Sequence, residues 1–498
     1  MFVVVHRWVG LVLAGFLLLA GLNGALLVWN DALDAAMSPS LFRVTPPSDE
    51  ARPMDPIDLV ERVQARYPHA HVRYAPLQVE AGRTLVVYLG AGAGAATAAA
   101  ALLDTTKRDT AQVEAAQRAA VGKEVQAAAN AERGAAGVAG GDVVPADATS
   151  GHAASHATAG LPNDQVFVDP YRGVVVGERK WGDIGQGWKN LMPFIYRLHF
   201  SLALDTIGSY VFGVIALLWT LDCFIGAYLT FPAALKTKRP DGKSWRRRWW
   251  PSWKVRWDGG PYKVNFDLHR AGGLWVWAML FVFAWSSVAF NLSEVYDPVM
   301  KTVLAHQREA ATPVPQTSDS RAVMDWRHAR ETGRRLLAEL APAQVPAVVV
   351  LNEEALGYDA SARTYRYVVR SDRDIRDHLG STSLTFDGSA GRFVQLWLPT
   401  GAAAGDTVRT WLTSLHMAAV WGLPFDVFVT AMGIAVAMLS VTGFVIWWKK
   451  WRGRRAQAVR DALNAKAVSR VQPAAHQGLG TPDVVSVAPR LPAYDRIV

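Results

Sequence analysis

Four runs of apolar residues constrain this chain more than any other feature. Each is long enough to cross a bilayer, which takes about 20 helical residues. The runs are 9–29, 207–231, 274–292 and 425–448. The first is longer than the apolar core of a signal peptide and has no clear cleavage site, so we interpret it as an uncleaved helix. We therefore expect a membrane protein with a four-helix transmembrane bundle.

Basic residues flank these runs on one side of the predicted membrane. Residues 233–263 contain ten Lys or Arg and two Asp, and "WWKKWRGRR" ends and follows the fourth run. Short basic loops stay in the cytoplasm, so we expect this loop and both termini inside, in a multi-pass protein of a bacterial inner membrane. The net charge of +9 is then a topology signal with a possible lipid contact, and nucleic acid is not an expected partner.

The two segments expected in the periplasm follow one plan. In 31–190, the helical spacing of "DPIDLVERVQARYPHA" precedes the strands "HVRYAPLQVE" and "RTLVVYLG" and the hairpin "DQVFVDPYRGVVVGER". In 293–408, the helix "WRHARETGRRLLAEL" precedes the strands "AVVVLNEE", "RTYRYVVRS", "STSLTFDG" and "RFVQLWLPT". Each segment is predicted to hold one small α+β domain. Residues 91–160, rich in Ala and Gly without an apolar period, are an insert expected to be disordered or helical only in part.

Four histidines occupy equivalent places in this plan. His6 in "HRWVG" and His269 in "HRAGG" begin outward-going helices, whereas His199 in "RLHFSL" and His416 in "SLHMAA" begin inward-going ones. The chain is thus a tandem repeat of helix, external domain and helix. His6 and His269, the inner pair, are expected near the cytoplasmic face of the membrane, and His199 and His416, the outer pair, near the opposite face.

The predicted parts, in chain order, are transmembrane helix 6–30, periplasmic domain 31–190 with its insert 91–160, transmembrane helix 198–232, basic cytoplasmic loop 233–263, transmembrane helix 266–292, periplasmic domain 293–408, transmembrane helix 411–449 and a disordered cytoplasmic tail 450–498.

Paired histidines at membrane depth indicate a cofactor. Ionisable residues inside a membrane are costly and usually functional, and helix bundles place cofactor ligands on facing helices. Two imidazoles at each level suit the axial ligation of haem iron. The chain has one cysteine, Cys223, and no C-x-x-C-H, so such a haem is b-type and non-covalent. Zinc or non-haem iron generally takes further carboxylate or Cys ligands, and a proton relay stays open as an alternative.

Arginines and glycines beside the histidines extend this candidate site. Haem propionates need charge-assisted partners, and three arginines adjoin the ligands: Arg7, Arg270 and Arg197. Arg7 and Arg270 are equally well placed as positive-inside anchors. Four glycines leave room for a flat macrocycle or for a neighbouring helix: Gly10, Gly273, Gly226 and Gly443.

The most specific sequence motifs are "HRWVGL", "VFVDPYRGVVVGE", "TSLTFDGSAGRFVQLWLPTG", "LHMAAVWGLPFDVFV" and "LSVTGFVIWWKK". With them, nearly the whole chain resembles the PepSY-associated transmembrane family, which includes iron-regulated inner-membrane reductases of ferric siderophores. The resemblance implies two PepSY-like external domains on a haem-binding membrane unit, with the haem histidines at His6, His199, His269 and His416. Some members carry a flavin/NADPH reductase domain, which is not seen in this chain, so the implied electron donor is another molecule. Only five residues precede His6, so the inner haem is expected at the membrane surface unless the chain begins before Met1.

The expected function is therefore transmembrane electron transfer by two bis-histidine haems b, with reduction of a ferric siderophore or another ferric chelate in the periplasm. No side chain is expected to act as a catalytic acid or base. The alternative class is an anchored regulator, peptidase inhibitor or sensor without redox activity, which needs no paired histidines. A transporter is a third reading.

Overall fold

The computed structural model describes residues 1–91, 161–232, 244–308 and 323–471, with side chains up to residue 466. The helices are α1 Phe2–Leu27, α2 Asn30–Met37, α3 Pro39–Phe42, α4 Pro56–Arg66, α5 Leu191–Ser201, α6 Asp205–Leu229, α7 Trp245–Trp249, α8 Pro261–Trp275, α9 Trp277–Asn291, α10 Ser293–Val303, α11 Trp326–Leu340, α12 Ala404–His416 and α13 Gly422–Val471. The strands are β1 Ala70–Pro76, β2 Leu85–Ala91, β3 Gln165–Val168, β4 Val175–Arg179, β5 Val350–Asp359, β6 Thr364–Ser371, β7 Thr382–Asp387 and β8 Phe393–Trp397. The predicted insert from residue 92, residues 233–243 of the basic loop and the tail from residue 472 lie outside the described residues.

The strands of the two segments that were predicted to be periplasmic join in one antiparallel sheet, where two separate domains were predicted. Its eight described strands lie in the order β4-β3-β2-β1-β5-β6-β7-β8. β1 and β5 pair at the centre, with Tyr74 opposite Gly357. Separate domains would leave β1 and β5 as exposed edges, and their pairing over three residue pairs satisfies backbone groups of both strands. The strand order is symmetric about this junction, as the tandem repeat implies.

One hydrophobic core, shared by both halves of the sheet, lies beneath α4 and α11. Side chains such as Ile57 of α4 and Leu337 of α11 are buried in it. Each helix begins with an aspartate that caps a backbone N–H: Asp55 accepts from Ile57 and Asp325 from His328, both at 2.8 Å. These helices and all the predicted strands are confirmed, so the local predictions hold although the division into domains does not.

Three helices of the described chain, α1, α6 and α13, are long and apolar enough to cross a membrane. The predicted span 266–292 is instead the pair α8 and α9, which are bent by 69° at Val276 and make a fourth span only if counted together. The Gly272–Gly273 pair lies in the last turn of α8, and glycine pairs are a common cause of sharp helix kinks. The predicted four-helix transmembrane bundle is therefore not confirmed.

The outer histidine of the first repeat lies on a short helix of its own, not on the continuous helix 198–232 that was predicted. The chain breaks after α5, where Leu202 has a left-handed φ of 53°. It then folds back so closely that a Cβ at Gly208 would lie 1.6 Å from the carbonyl oxygen of Ser201. Glycine at 208 is therefore required for this return.

The second repeat has a break at the matching place, within the predicted helix 411–449. α12 ends at His416, and α13 begins at Gly422, whose φ of 57° suits glycine. Pro424 lies in the first turn of α13, where no helical hydrogen bond is lost. α13 runs to Val471, so the start of the tail is helical where disorder was predicted. Its many Ala and Arg residues favour a helix.

Candidate functional site

The inner pair joins positions that are far apart in the sequence. His6 lies in the second turn of α1 and His269 in α8, and the centres of their imidazole rings are 6.2 Å apart. His6 belongs to the first repeat and His269 to the second. This level of the candidate site is therefore built where the two repeats meet.

The outer pair is built in the same way from the two short helices. His199 of α5 and His416 of α12 have ring centres 6.3 Å apart. Both rings line a cavity of ≈ 210 Å³, whose walls include Phe283 and Phe290 of α9 at 5.2 and 5.5 Å from the ring of His416. The outer pair is thus enclosed by apolar and aromatic groups.

The two ring separations match the size of one metal atom held between imidazoles. A metal–imidazole nitrogen bond is about 2 Å long, and a ring nitrogen lies about 1 Å from its ring centre, so two imidazoles on one metal have centres about 6 Å apart. No group of three or more His, Cys, Asp or Glu side chains that could hold a metal occurs among the described residues. Each level therefore offers two facing ligands, and the other coordination positions would belong to a macrocycle.

The Nδ1 atoms of the inner pair are held by different kinds of group. Nδ1 of His6 lies 2.9 Å from Oδ1 of Asp222 in α6. Nδ1 of His269 lies 3.1 Å from both the carbonyl oxygen of Leu439 and the hydroxyl of Thr442. Oxygen acceptors at Nδ1 fix the tautomer that leaves Nε2 unprotonated for a metal. Both inner rings are thus oriented for ligation through Nε2.

The Nδ1 atoms of the outer pair have neutral surroundings. Nδ1 of His416 lies 2.7 Å from the hydroxyl of Ser286 in α9. Nδ1 of His199 is buried, and no hydrogen bond of ordinary geometry reaches it within the described part of the chain. The outer level thus has no carboxylate among the hydrogen-bond partners described for its two rings.

Glycines stand against three of the four rings. A Cβ at Gly226 would lie 3.4 Å from Cε1 of His6, and a Cβ at Gly443 would lie 3.0 Å from Cε1 of His269. Gly24 of α1 meets the ring of His199 in the same way, at 3.2 Å. These glycines let each ring pack on a helix of its own repeat while it faces the other repeat.

Open space lies beside the inner pair. Gly10 and Gly273 follow the inner histidines by one helical turn, and a Cβ at either position would meet nothing within 4 Å. A macrocycle extends sideways from the metal that it carries, so it needs such space next to its axial ligands. Donor type, ring separation and space together fit a haem between the histidines.

The three arginines predicted to contact propionates differ in what they already bind. Arg197 donates to Asp205 at 2.8 Å, and Arg270 donates to the fully buried Asp267 at 2.9 Å. Arg7 and Arg270 each keep a buried Nε without a hydrogen-bond partner in the described structure. Of the three, Arg7 and Arg270 therefore each have a donor available for an anionic group.

The residues that orient the rings are absent from the sequence prediction. Asp222, Ser286 and Thr442 all lie inside apolar runs. In the sequence prediction they are therefore parts of the transmembrane spans and have no separate role. An aspartate in the middle of such a run is a usable signal, because a carboxylate at membrane depth is expensive. Serine and threonine are common in membrane helices and give no comparable signal.

Comparison with known proteins identifies the family of the chain. No curated protein matches it. The family model for the PepSY-associated TM region matches residues 3–450, which include all four histidines and the complete described sheet. The chain therefore belongs to the PepSY-associated transmembrane family.

Proposed function

We propose that the protein binds one haem b at each histidine pair and carries electrons across a bacterial inner membrane. The observation that carries this proposal is the repeated ring separation, 6.2 Å for the inner pair and 6.3 Å for the outer pair. Each separation accommodates one metal atom between two imidazoles. A regulator or an anchor has no need of this arrangement at two levels.

The placement of the pairs along α1 supports transfer through the membrane. His6 lies near the start of α1, and Gly24, which contacts His199, follows 18 positions later in the same helix. At about 1.5 Å per residue this is a rise of about 27 Å, close to the hydrocarbon thickness of about 30 Å. The two levels are thus suited to opposite faces of one bilayer.

The side chains of the protein bind, orient and insulate the redox groups. Haem supplies a one-electron couple when it is bound. His6 and His269 would hold it at the inner level and His199 and His416 at the outer level, and Arg7 and Arg270 each retain an Nε donor for a propionate. The phenylalanines around His416 exclude water from the outer level, and no residue needs to transfer a proton.

The proposed substrate is Fe(III) held by a siderophore or a similar chelate in the periplasm. One electron from the outer level converts Fe(III) to Fe(II), which binds hard oxygen ligands less strongly and is released more readily. The electrons come from a separate donor on the inner side. The acceptor needs no path through the membrane.

The first test is the optical spectrum of the purified full-length protein, oxidised and then reduced with dithionite. We expect a low-spin b-type spectrum and two haems per chain. A variant in which all four histidines are alanine should be colourless yet still membrane-inserted. A colourless, folded wild-type protein from haem-replete cells would sink the proposal.

The second test concerns substrate and direction. Pre-reduced protein in sealed vesicles of known orientation is mixed with a membrane-impermeant ferric siderophore. Reoxidation is expected only when the chelate contacts the face that carries His199 and His416. Reoxidation only from the opposite face contradicts the direction, and no reoxidation from either face contradicts the substrate class.

A further inference from the structure

Asp222 is an acidic side chain in the middle of the apolar helix α6. Its side chain is 10% exposed, and Oδ1 lies 2.9 Å from Nδ1 of His6. A buried carboxylate inside a membrane is costly unless a partner compensates it. The hydrogen bond with the imidazole of His6 offsets the cost of burying the carboxylate. The carboxylate and the ring therefore act as a unit.

The tandem repeat supplies an internal reference for this unit. His199 and His416 are 217 residues apart, and the same offset relates Asp222 to Leu439 and Gly226 to Gly443. At position 439 the acceptor for the histidine Nδ1 is a backbone carbonyl, not a carboxylate. The two repeats therefore differ in charge at one matching position beside a ligand.

The outer level provides the second reference. The Nδ1 partner of His416 is the neutral hydroxyl of Ser286. Among the described ring contacts, a carboxylate thus touches one histidine of the four, and that histidine is at the inner level. The two levels have the same ligands and different electrostatics.

A carboxylate that accepts the second N–H of a ligating histidine makes the ring a stronger electron donor and adds negative charge near the metal. Both effects stabilise ferric over ferrous iron and therefore lower the reduction potential. A neutral hydroxyl has a much smaller effect. One-electron transfer from the inner to the outer level then runs downhill.

We infer that Asp222 is a positioning residue that orients His6 and makes the inner level the lower-potential member of the two, which sets the direction of electron flow. The inference rests on the proposed haem binding and adds to it a residue and a reason for direction.

The test is a potentiometric titration of the full-length protein, followed in the optical spectrum. The wild type should show two couples of different midpoint potential. Asp222→Asn keeps an oxygen acceptor near Nδ1 and removes the charge. It should raise the lower midpoint potential by at least about 59 mV, which is a tenfold change in a one-electron reduction equilibrium. The higher midpoint potential should not change. Ser286→Ala is the matched control and should not move the lower couple.

The outcomes separate this inference from the proposed function. A wild type without haem removes the proposed function itself. If Asp222→Asn binds two haems and both midpoint potentials equal those of the wild type, the proposed role of Asp222 is wrong. The proposed haem binding is not affected by that result. If Asp222→Asn loses the inner haem, Asp222→Glu serves as the second variant. It retains the charge and should keep the low midpoint potential. A raised midpoint potential in Asp222→Glu also overturns the inference.

Discussion

The two repeats meet at two kinds of contact, one in the sheet and one among the helices. In the sheet, β1 and β5 exchange backbone hydrogen bonds. Beside them, Arg330 of α11 reaches across to Asp55 of the first repeat at 2.9 Å and is held by Glu353 of its own repeat at 2.5 Å. Among the helices, the histidines of each pair face each other with ring centres more than 6 Å apart, and no hydrogen bond described in the structure joins them.

This difference shows which contact holds the halves together and which is kept open. The sheet contact satisfies its own donors and acceptors, so it stabilises the fold without a ligand. The histidine contact brings four polar rings to an apolar region, and Nδ1 of His199 is buried there without a hydrogen bond of ordinary geometry among the described residues, which costs free energy. The sheet contact is therefore the joint between the two repeats, and the histidine levels are candidate sites.

The largest expected effect comes from breaking one histidine level. His269→Ala should remove one of the two haems per chain, because a single axial imidazole holds the group weakly, and His416→Ala should remove the other. Adding His6→Ala to His269→Ala should cost little more, since partners on one cofactor are strongly non-additive. Haem content per chain measures this, with the exposed His328→Ala as control. Losses that add within a level contradict the pairing.

A glycine beside one ring should affect one level only. A Cβ at Gly443 would lie 3.0 Å from Cε1 of His269, so Gly443→Val should push that ring away and weaken the inner haem while the outer one stays. Spectra of the variant should show about half the wild-type haem. Gly15→Ala is the control, because a Cβ there meets nothing within 4 Å. Equal loss from both levels speaks against separate sites.

The sheet joint should respond to acid. Burial raises the pKa of Glu353, but hydrogen bonds from Arg334, Arg330 and Tyr367 outweigh it and hold the pKa at about 2, below the ordinary 4.5. Its contribution is full above pH 4.5 and is lost as the pH falls towards 2. Glu353→Gln should lower the stability at pH 7 by about 2–3 kcal/mol and flatten this acid dependence. The midpoint of thermal unfolding between pH 7 and 3 measures both effects. An unchanged acid profile contradicts the role of Glu353.

The smallest effect is expected from the exposed part of the same joint. Arg327 of α11 reaches Asp58 of α4 at 2.6 Å, but both side chains are nearly half exposed. Water and salt screen such pairs, which contribute little. Arg327→Ala should leave the melting temperature within error of the wild type, measured beside Arg330→Ala, whose side chain is less exposed. If Arg327→Ala lowers the melting temperature as much as Arg330→Ala does, then solvent exposure does not determine how much these ion pairs contribute to stability.

Local patterns predicted the elements of this fold well. The helix Trp326–Leu340 and the hairpin around Asp169 follow from helical spacing, capping and turn residues, which depend on neighbours in the sequence. The histidine levels were predicted from the symmetry of the repeat, and the structure brings together His6 with His269 and His199 with His416. Whether haem binds there stays a prediction.

Long-range features were not predictable in the same way. The sequences of β1 and β5 do not indicate that these strands pair, because the alternation of residues that predicts a strand does not show whether it lies at an edge or in the centre of a sheet. The bend at Val276 and the breaks beside the outer histidines lie inside or next to apolar runs whose composition does not change there. Asp222 and Ser286 gain their roles only when α1, α6, α9 and α12 come together.

The symmetric strand order has a consequence for the origin of the chain. Antiparallel pairing of equivalent strands, with one imidazole from each half at each level, is the geometry of two identical subunits about a two-fold axis. A single ancestral repeat would have had to form a homodimer to complete either level, and both levels would have had the same partners on each side. Two halves in one chain need not be identical. Residue 222 is an aspartate while its counterpart, residue 439, is a leucine, a difference that two identical subunits cannot have.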